Sequence, residues 1–323
     1  MRKFLLGSMV VFLSACAQFK SGNVTATIES RIATANEQSR QFPVNEWREI
    51  RQVFHEGNTI LGRAGTVRDN LSRPVAVAAS AGVLYIVDAD RHELIRYDSI
   101  TGEGRAITDL SRIAGGEISD IYLYNNEFLL LADPQGQQVL KVDLQGRLMQ
   151  VLDAPSNLIA PISISVDLRR HEILVADGSY DDIVVFTLDG EPIATLGERG
   201  MENGQFRTMT ALAWSDQGLY VAMRTGGRVQ VIDANDQFER RLDTEGMIFP
   251  SAIVFDRKGR AYISDLMSNN IRVYDGDEQI AVLGGTGVAP GRFQRITDMW
   301  IDQGILYVVD SLNGRIQSHR TLD

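Results

Sequence analysis

A short apolar run recurs six times along the chain, at intervals of 42 to 46 residues. Five of the six runs end in aspartate and the fourth ends in methionine; the final residues are Asp88, Asp133, Asp177, Met223, Asp265 and Asp310. A period of 40 to 50 residues built from short strands is typical of a β-propeller, in which each repeat forms one blade. The repeat therefore predicts an all-β fold, a six-bladed β-propeller.

Each repeat contains four strand-like segments, which we name A to D, with A nearest the axis of the ring. In the fifth repeat the segments are rich in Val, Ile and Tyr, and Gly, Asp and Asn turns separate them. That pattern is typical of antiparallel strands joined by tight turns. The predicted strands of this repeat are 250–255, 260–264, 271–274 and 279–283.

A glycine element lies between repeats in three places, where Leu-Gly-x-x-Gly precedes a larger apolar residue by a fixed distance. The leading and later residues are Leu61 with Leu71, Leu196 with Phe206, and Leu283 with Phe293. Glycine lets the chain turn sharply from the rim toward the axis, and the later Leu or Phe is expected to pack between adjacent sheets.

Two of the repeats resemble the NHL repeat family, whose consensus places a Tyr-Val-x-Asp strand before an Asn-His-Arg-Ile segment. The matching stretches run from Asp88 to Asp98 and from Asp265 to Asp275, and the resemblance covers roughly residues 58 to 323. It implies a six-bladed propeller of NHL-like repeats. The fourth repeat departs from the pattern, because Arg224 follows Met223 where the family has an aspartate-led loop.

The last repeat has only three strands, since the sequence reaches Asp323 just after its third. Residues 56–62 align with 277–284, the fourth strand of the fifth repeat. We therefore expect 3+1 closure of the last blade, with this N-terminal segment as its outer strand. An open sheet edge would expose unpaired backbone groups.

The N-terminus predicts export. Arg2 and Lys3 precede an apolar stretch too short to span a bilayer, which is typical of a signal peptide over residues 1–15. The following Leu-Ser-Ala-Cys resembles the lipobox of bacterial lipoproteins, and Cys16 is the only cysteine. Cys16 is thus the predicted lipidation site, with a membrane-anchored tether over 16–44 and the propeller over 45–323. Ala17 favours delivery to the outer membrane.

The formal net charge of −10 argues against a nucleic-acid partner, because such binding depends on Lys and Arg releasing counterions. The expected contacts are the membrane, through the lipid, and an envelope protein partner of unknown identity.

Residues with catalytic or metal-binding chemistry are sparse. The aspartates that end the B strands are expected to accept backbone N–H groups in the following turn, and they lie too far apart around a ring to form one site. The four histidines, His55, His92, His171 and His319, do not share metal-ligand spacing. Some enzymes on this fold, such as the peptide-amidating lyases, use a histidine-bound metal, but that site is not visible here. No cofactor, metal site or catalytic residue is predicted.

One group of polar residues is predicted at a mouth of the central channel. Aligning the six A strands places Val75, Asp120, Ile162, Thr210, Ser251 and Asp298 at equivalent positions. The carboxylates of Asp120 and Asp298, with Thr210 and Ser251, could bind a hard cation such as calcium or a basic side chain of a partner. Alternatively, both carboxylates face channel water or cap the starts of strands.

The sequence therefore favours a binding or scaffold module anchored at the outer membrane, and not an enzyme. The alternative is a calcium-dependent hydrolase or lyase built on the channel. A purely structural component of the cell envelope is the third possibility.

Overall fold

A computed structural model describes residues 47–58, 64–242 and 244–322 of the protein. Three strands precede the first repeat: β1 (Arg48–Ile50), β2 (Gln52–Asn58) and β3 (Ala64–Asn70). β2 and β3 pair with each other as a separate antiparallel hairpin.

Six four-stranded antiparallel sheets follow, one for each repeat. Sheet one contains β4 (Pro74–Ser80), β5 (Val83–Asp88), β6 (Glu93–Asp98) and β7 (Gly104–Asp109). Sheet two contains β8 (Asp120–Tyr124), β9 (Phe128–Asp133), β10 (Gln138–Asp143) and β11 (Leu148–Leu152). Sheet three contains β12 (Pro161–Asp167), β13 (Glu172–Asp177), β14 (Asp182–Thr187) and β15 (Pro192–Leu196).

Sheet four contains β16 (Met209–Ser215), β17 (Gly218–Met223), β18 (Arg228–Ile232) and β19 (Phe238–Arg241). Sheet five contains β20 (Pro250–Phe255), β21 (Ala261–Asp265), β22 (Asn270–Asp275) and β23 (Glu278–Gly284). Sheet six contains β24 (Ile296–Asp302), β25 (Ile305–Asp310) and β26 (Arg315–Arg320), with β1. Short 3-10 helices occupy Leu110–Arg112 and Ser311–Asn313.

The sheets form a closed ring, because one apolar cluster lies between every pair of neighbouring sheets, including sheets six and one. The B strands are buried on both faces, which explains why they read as continuous apolar runs and not as alternating ones. The outer strands are more exposed, and β15 is exposed along almost its whole length. The predicted six-bladed β-propeller is confirmed.

The aspartates that end the B strands accept backbone N–H groups from the following turn, as Asp265 does from Met267 at 3.0 Å, but they also hold the connection before their own A strand, which was not predicted. Asp88 accepts hydrogen bonds from the backbone N–H groups of Ser72 and Arg73, at 2.7 and 3.1 Å. Asp265 does the same with Ile248 and Phe249, at 2.9 and 3.1 Å. Each of these buried carboxylates therefore fixes the connection that leads into its own A strand, which is a structural role.

The glycine elements also behave as predicted where they are described. Phe206 and Phe293 are buried between adjacent sheets. A Cβ on Gly197 would lie 2.2 Å from the Phe206 ring, and one on Gly284 would lie 2.4 Å from the Phe293 ring. Glycine is needed there for space as well as for its positive φ of 76° and 87°.

The fourth strand of sheet six is β1, which pairs antiparallel with β26. Residues 56–58 of the segment predicted for this role belong to β2 and pair with β3 instead, so that part of the prediction is wrong, and residues 59–62 lie outside the described residues. The physical reason is specific to β1. The guanidinium of Arg315, which is fully buried, forms ion pairs with Glu49 on β1 and with Asp310. Trp47 packs edge-on against Phe293, with ring centroids 5.3 Å apart.

Cys16, the predicted signal peptide and the whole of the predicted tether lie outside the described residues. Within the described part of the chain, no helix is long and apolar enough to cross a membrane.

Candidate functional site in the central channel

The A strands of sheets two to six line a cavity of about 220 Å³ in the centre of the ring. The four polar residues predicted from the sequence, Asp120, Thr210, Ser251 and Asp298, all lie in its lining. Both carboxyl side chains retain partial exposure, although the strands around them are largely buried. The structure thus brings the predicted residues together.

The strand pairing shows that two of the four predicted residues are not at the register position of Asp120, but one residue before it. Asp120 lies opposite Ala132, the residue before the aspartate that ends its B strand, and Ser163 of sheet three lies opposite the equivalent Ala176. Thr210 and Ser251 each lie one residue earlier in their strands, since their successors Ala211 and Ala252 hold the position equivalent to Asp120. Irregular pairing at the start of the A strands of sheets four and five hides this offset from the sequence.

Asp298 occupies the same register position as Asp120. Its successor, Met299, pairs two residues before the end of its B strand, as Val77 does in sheet one. The position equivalent to the carboxyls therefore holds aspartate twice and a small residue four times: Ala76, Asp120, Ser163, Ala211, Ala252 and Asp298. The small side chains leave space around the two carboxyls.

Each carboxyl joins its own sheet to the next one around the ring. Asp120 Oδ2 accepts a hydrogen bond from the backbone N–H of Ile164 at 2.7 Å, and Asp298 Oδ2 accepts one from Val77 at 2.8 Å. Each Oδ1 accepts from the N–H of the following residue, at 2.8 and 2.7 Å. Each oxygen therefore accepts one backbone N–H and keeps a lone pair for a further donor.

The predicted hydroxyls have a different role. Thr210 donates to the carbonyl of Pro250 at 2.8 Å, and Ser251 donates to the carbonyl of Ile296 at 3.1 Å. These bonds link neighbouring A strands and occupy the hydroxyl protons. The equivalent hydroxyl of Thr297 has no hydrogen-bond partner among the described residues. The sequence analysis overlooked Thr297, although it directly precedes Asp298.

Burial and mutual repulsion favour protonation of the pair. Burial raises the pKa of Asp120 to about 6, against the opposing effect of hydrogen bonds from Ile164, Ser163 and Ile121. Burial first, and then the charge of Asp120, raises the pKa of Asp298 well above its ordinary value. Two carboxyls that repel each other in one cavity retain a proton more readily than either would in water.

Aromatic side chains form part of the cavity wall further along the channel. The rings of Tyr122 and Trp300 meet edge to face, with centroids 5.5 Å apart. The Trp300 indole N–H donates to the carbonyl of Ala79 at 2.8 Å, which fixes the ring. Burial raises the pKa of Tyr122 to about 12, so this phenol stays neutral beside the carboxyls.

The residues present do not fit the calcium ion of the alternative interpretation. Calcium takes six to eight oxygen ligands and favours several ionised carboxylates. Here there are two carboxyls, each already accepting two N–H groups, and the hydroxyls of Thr210 and Ser251 are engaged between strands. Among the described residues, no three His, Cys, Asp or Glu side chains are placed to hold a metal ion.

Comparisons of the sequence with models of known protein families and with characterised proteins give no match. The NHL-like character of the repeats therefore stays a prediction. Solved structures do match. A streptogramin B lyase is 11% identical, with a TM-score of 0.62 over 84% of this chain and 96% of the lyase.

Two further structures show the same likeness. The virginiamycin B lyase of Staphylococcus aureus, an inactive histidine-to-alanine variant with quinupristin, is 10% identical, with a TM-score of 0.59 over 85% of this chain and 99% of that one. A protein of unknown function from Bacteroides thetaiotaomicron is 13% identical, with a TM-score of 0.64 over 85% of this chain and 75% of that one. At these identities the likeness shows the fold alone.

The prediction that the protein is not an enzyme is contradicted by these neighbours, because two of the three are lyases built on the same propeller. A histidine-to-alanine change inactivates the S. aureus lyase. No histidine lines the channel cavity here, and His92, His171 and His319 lie elsewhere in the described chain. Any catalysis in this channel thus depends on other groups.

Proposed function

We propose that this protein is an enzyme, a lyase or hydrolase that cleaves a carbon–oxygen bond by acid–base catalysis in its channel. The observation that carries the proposal is the carboxyl pair of Asp120 and Asp298, which faces one cavity from equivalent positions of two sheets. The neighbouring lyase structures support an enzymatic role for the fold.

Two carboxyls with different pKa values can act as a base and an acid near neutral pH. The ionised member accepts a proton, either from the carbon next to the breaking bond or from an attacking water. The protonated member gives its proton to the leaving oxygen as the carbon–oxygen bond breaks. Elimination and hydrolysis therefore make the same demand on the pair, and exchange with water at the open mouth restores both carboxyls.

The size and lining of the cavity limit the substrate. A volume of about 220 Å³ is smaller than the roughly 300–1,000 Å³ of pockets that enclose drug-sized ligands. A small ester or lactone, or one ester-bearing edge of a larger ring, would fit beside the carboxyls. The lining offers hydroxyl groups and apolar side chains, with no cationic side chain to hold an anion.

The test is an assay of the purified protein against lactones, alkyl esters and quinupristin, in water enriched in ¹⁸O. We expect cleavage of at least one compound, and a loss of roughly 10²–10⁴-fold in Asp120→Asn and in Asp298→Asn. Uptake of ¹⁸O, measured by mass spectrometry, identifies hydrolysis, and cleavage without uptake identifies elimination.

Asp98→Asn is the matched control, because Asp98 accepts backbone N–H groups in an exposed turn far along the blade from the channel mouth. It should cleave at the parental rate. Cleavage that survives both channel substitutions would place the active site elsewhere, and no cleavage of any compound in the panel would overturn the proposed class of enzyme.

Location at the cell envelope is also a proposal, and it rests on the lipobox-like sequence ending at Cys16. Two or more acyl chains on that residue would give stable anchoring, and the outer membrane remains the expected site. Replacing Cys16 with Ser should release the protein from the membrane fraction and abolish palmitate labelling. Palmitate labelling that persists in this variant would show that Cys16 is not the lipidation site. Binding of an envelope protein partner stays a prediction.

A further inference from the structure

The two channel carboxyls are equivalent by register, but their neighbours on the next sheet differ. Next to Asp120 around the ring stands Ser163, and next to Asp298 stands Ala76. The backbone N–H of Ile164, the residue directly after Ser163, donates to Asp120 Oδ2 at 2.7 Å, which brings Ser163 next to this carboxyl. A hydrogen bond from the Ser163 side chain lowers the pKa of Asp120. Alanine offers no donor to Asp298. This single difference breaks the symmetry of an otherwise matched pair.

The Ser163 hydroxyl is held in place from its other side. Its Oγ accepts the backbone N–H of Leu212, from sheet four, at 3.0 Å. Because that lone pair is occupied by a backbone donor, the hydroxyl proton is free to point toward the carboxyl. Ser163 is also 5% exposed, so water competes little for this proton.

We infer that Ser163 and Ala76 assign the roles within the pair, so that Asp120 is the ionised member and Asp298 is the member that holds the proton. A hydrogen bond donated to a carboxylate stabilises its charged form, and Asp120 accepts three such bonds from its neighbours where Asp298 accepts two. On the proposed function, on which this step rests, Asp120 is then the general base and Asp298 the general acid. Ser163 is a positioning residue.

The other groups around the pair do not reverse this assignment. Within the cavity lining the third titratable group is Tyr122, whose raised pKa keeps it neutral. Before strand β4, Arg73 pairs with both Glu117 and Asp90, which more than neutralise its charge. Arg295 is exposed immediately before the strand that carries Asp298. Strands β4 and β12 carry no ionisable side chain at this end.

The test is the titration of both carboxyls by NMR in protein labelled with ¹³C at the aspartate carboxyls, with Asp120→Asn and Asp298→Asn used to assign the two signals. In Ser163→Ala we expect the midpoint of Asp120 to rise by about one pH unit, because one donor to its charged form is lost. In Ala76→Ser we expect the midpoint of Asp298 to fall. The double exchange should reverse the order of the two midpoints.

Ser165→Ala is the matched control. Ser165 accepts the N–H of Trp214 at 2.8 Å, so it links the same two strands as Ser163 does, two residues further along the strand from the carboxyl position. Its removal should leave both midpoints in place. If the midpoint of Asp120 moves equally in Ser163→Ala and Ser165→Ala, or if Ala76→Ser leaves Asp298 unchanged, the assignment is wrong.

These outcomes are separable from those of the cleavage assay, because the titration needs no substrate. Reversed midpoints without any cleavage would leave the assignment intact and overturn the enzymatic proposal. Cleavage of a substrate, with both midpoints unchanged by the two substitutions, would support the enzymatic proposal and overturn the assignment of roles. Should Ser163→Ala fail to fold, Ala76→Ser still decides the question, since it adds a hydroxyl and removes nothing.

Discussion

At the scale of single residues, this propeller places its acidic side chains in two kinds of environment. The carboxylates that end B strands are saturated by backbone donors, as at Asp177, which accepts N–H groups from Ser179 and Tyr180 at 2.7 Å each. Others are buried with too few donors. Burial, and then the charges of Asp177 and Asp181, raises the pKa of Asp182 to about 6. Its Oδ1 is buried without a partner among the described residues.

A prediction about pH dependence follows from these raised values. A carboxyl whose pKa is higher in the folded than in the unfolded chain binds more protons when folded, so it lowers stability as the pH rises between the two values. For Asp120 and Asp182 that window runs from about 4 to about 6. We expect Asp182→Asn to raise the free energy of unfolding at pH 7 by about 1 kcal/mol, a figure reduced for partial solvent exposure, and to change it little at pH 4.

Chemical denaturation at the two pH values measures both effects. Asp233→Asn is the control with the opposite sign, because hydrogen bonds from the backbone of Gln237 and Asn235 lower the pKa of Asp233. That variant should lose stability at pH 7, and the loss should shrink as the pH falls below the ordinary aspartate pKa toward the lowered one. A destabilised Asp182→Asn at pH 7 would show that this carboxyl gains more from its surroundings than the repulsion costs.

At the scale of elements, the links between neighbouring sheets hold the ring in register. Hydrogen bonds from one A strand to the next recur around the channel, and aromatic side chains from the glycine elements fill the spaces further out. The close contact of Gly284 with Phe293 shows how little room the second kind of link leaves.

A pair of glycine substitutions separates space from backbone conformation. Gly284 and Gly276 both have positive φ, 87° and 57°, but a Cβ at Gly284 would meet the Phe293 ring at 2.4 Å, whereas one at Gly276 would meet nothing within 4 Å. We expect Gly276→Ala to cost about 1 kcal/mol from the left-handed conformation alone. Gly284→Ala should cost a further 1–3 kcal/mol because Phe293 must move. Thermal or urea unfolding of both variants gives the difference between their free energies of unfolding. Equal losses would mean that the Phe293 side chain moves aside at no cost.

At the scale of the whole molecule, the six-bladed propeller could be predicted from the sequence because one local strand pattern recurs six times. The sequence also predicted which side chains meet in the channel. It aligned Thr210 and Ser251 with the two aspartates although they lie one residue earlier in their strands, because the irregular pairing there is set by tertiary contacts and leaves no local signature. It missed β1 for a similar reason. Three residues, Arg48–Ile50, carry no strand pattern, and they are held by the buried Arg315 at a distance in sequence of more than 260 residues.

The last prediction concerns the contacts that hold β1 in sheet six. Arg315 is fully buried and joins Glu49, Asp310 and the carbonyls of Ala289 and Arg292. Replacing it with Ala leaves the buried Asp310 carboxylate without its cation, and we expect a loss of roughly 3–5 kcal/mol. Glu49→Gln keeps Arg315 paired with Asp310 and should cost about 1 kcal/mol.

Arg51→Ala is the matched control, because Arg51 pairs with the same Glu49 but is largely exposed, and it should change the free energy of unfolding by less than about 0.5 kcal/mol. A chain that begins at Gln52 lacks β1 altogether, and we expect it to melt at least as far below the parent as Arg315→Ala does and to associate through the uncovered edge of β26. Calorimetry with light scattering measures both. If the shortened chain had the melting temperature of the parent and stayed monomeric, β1 would not be needed to close the ring.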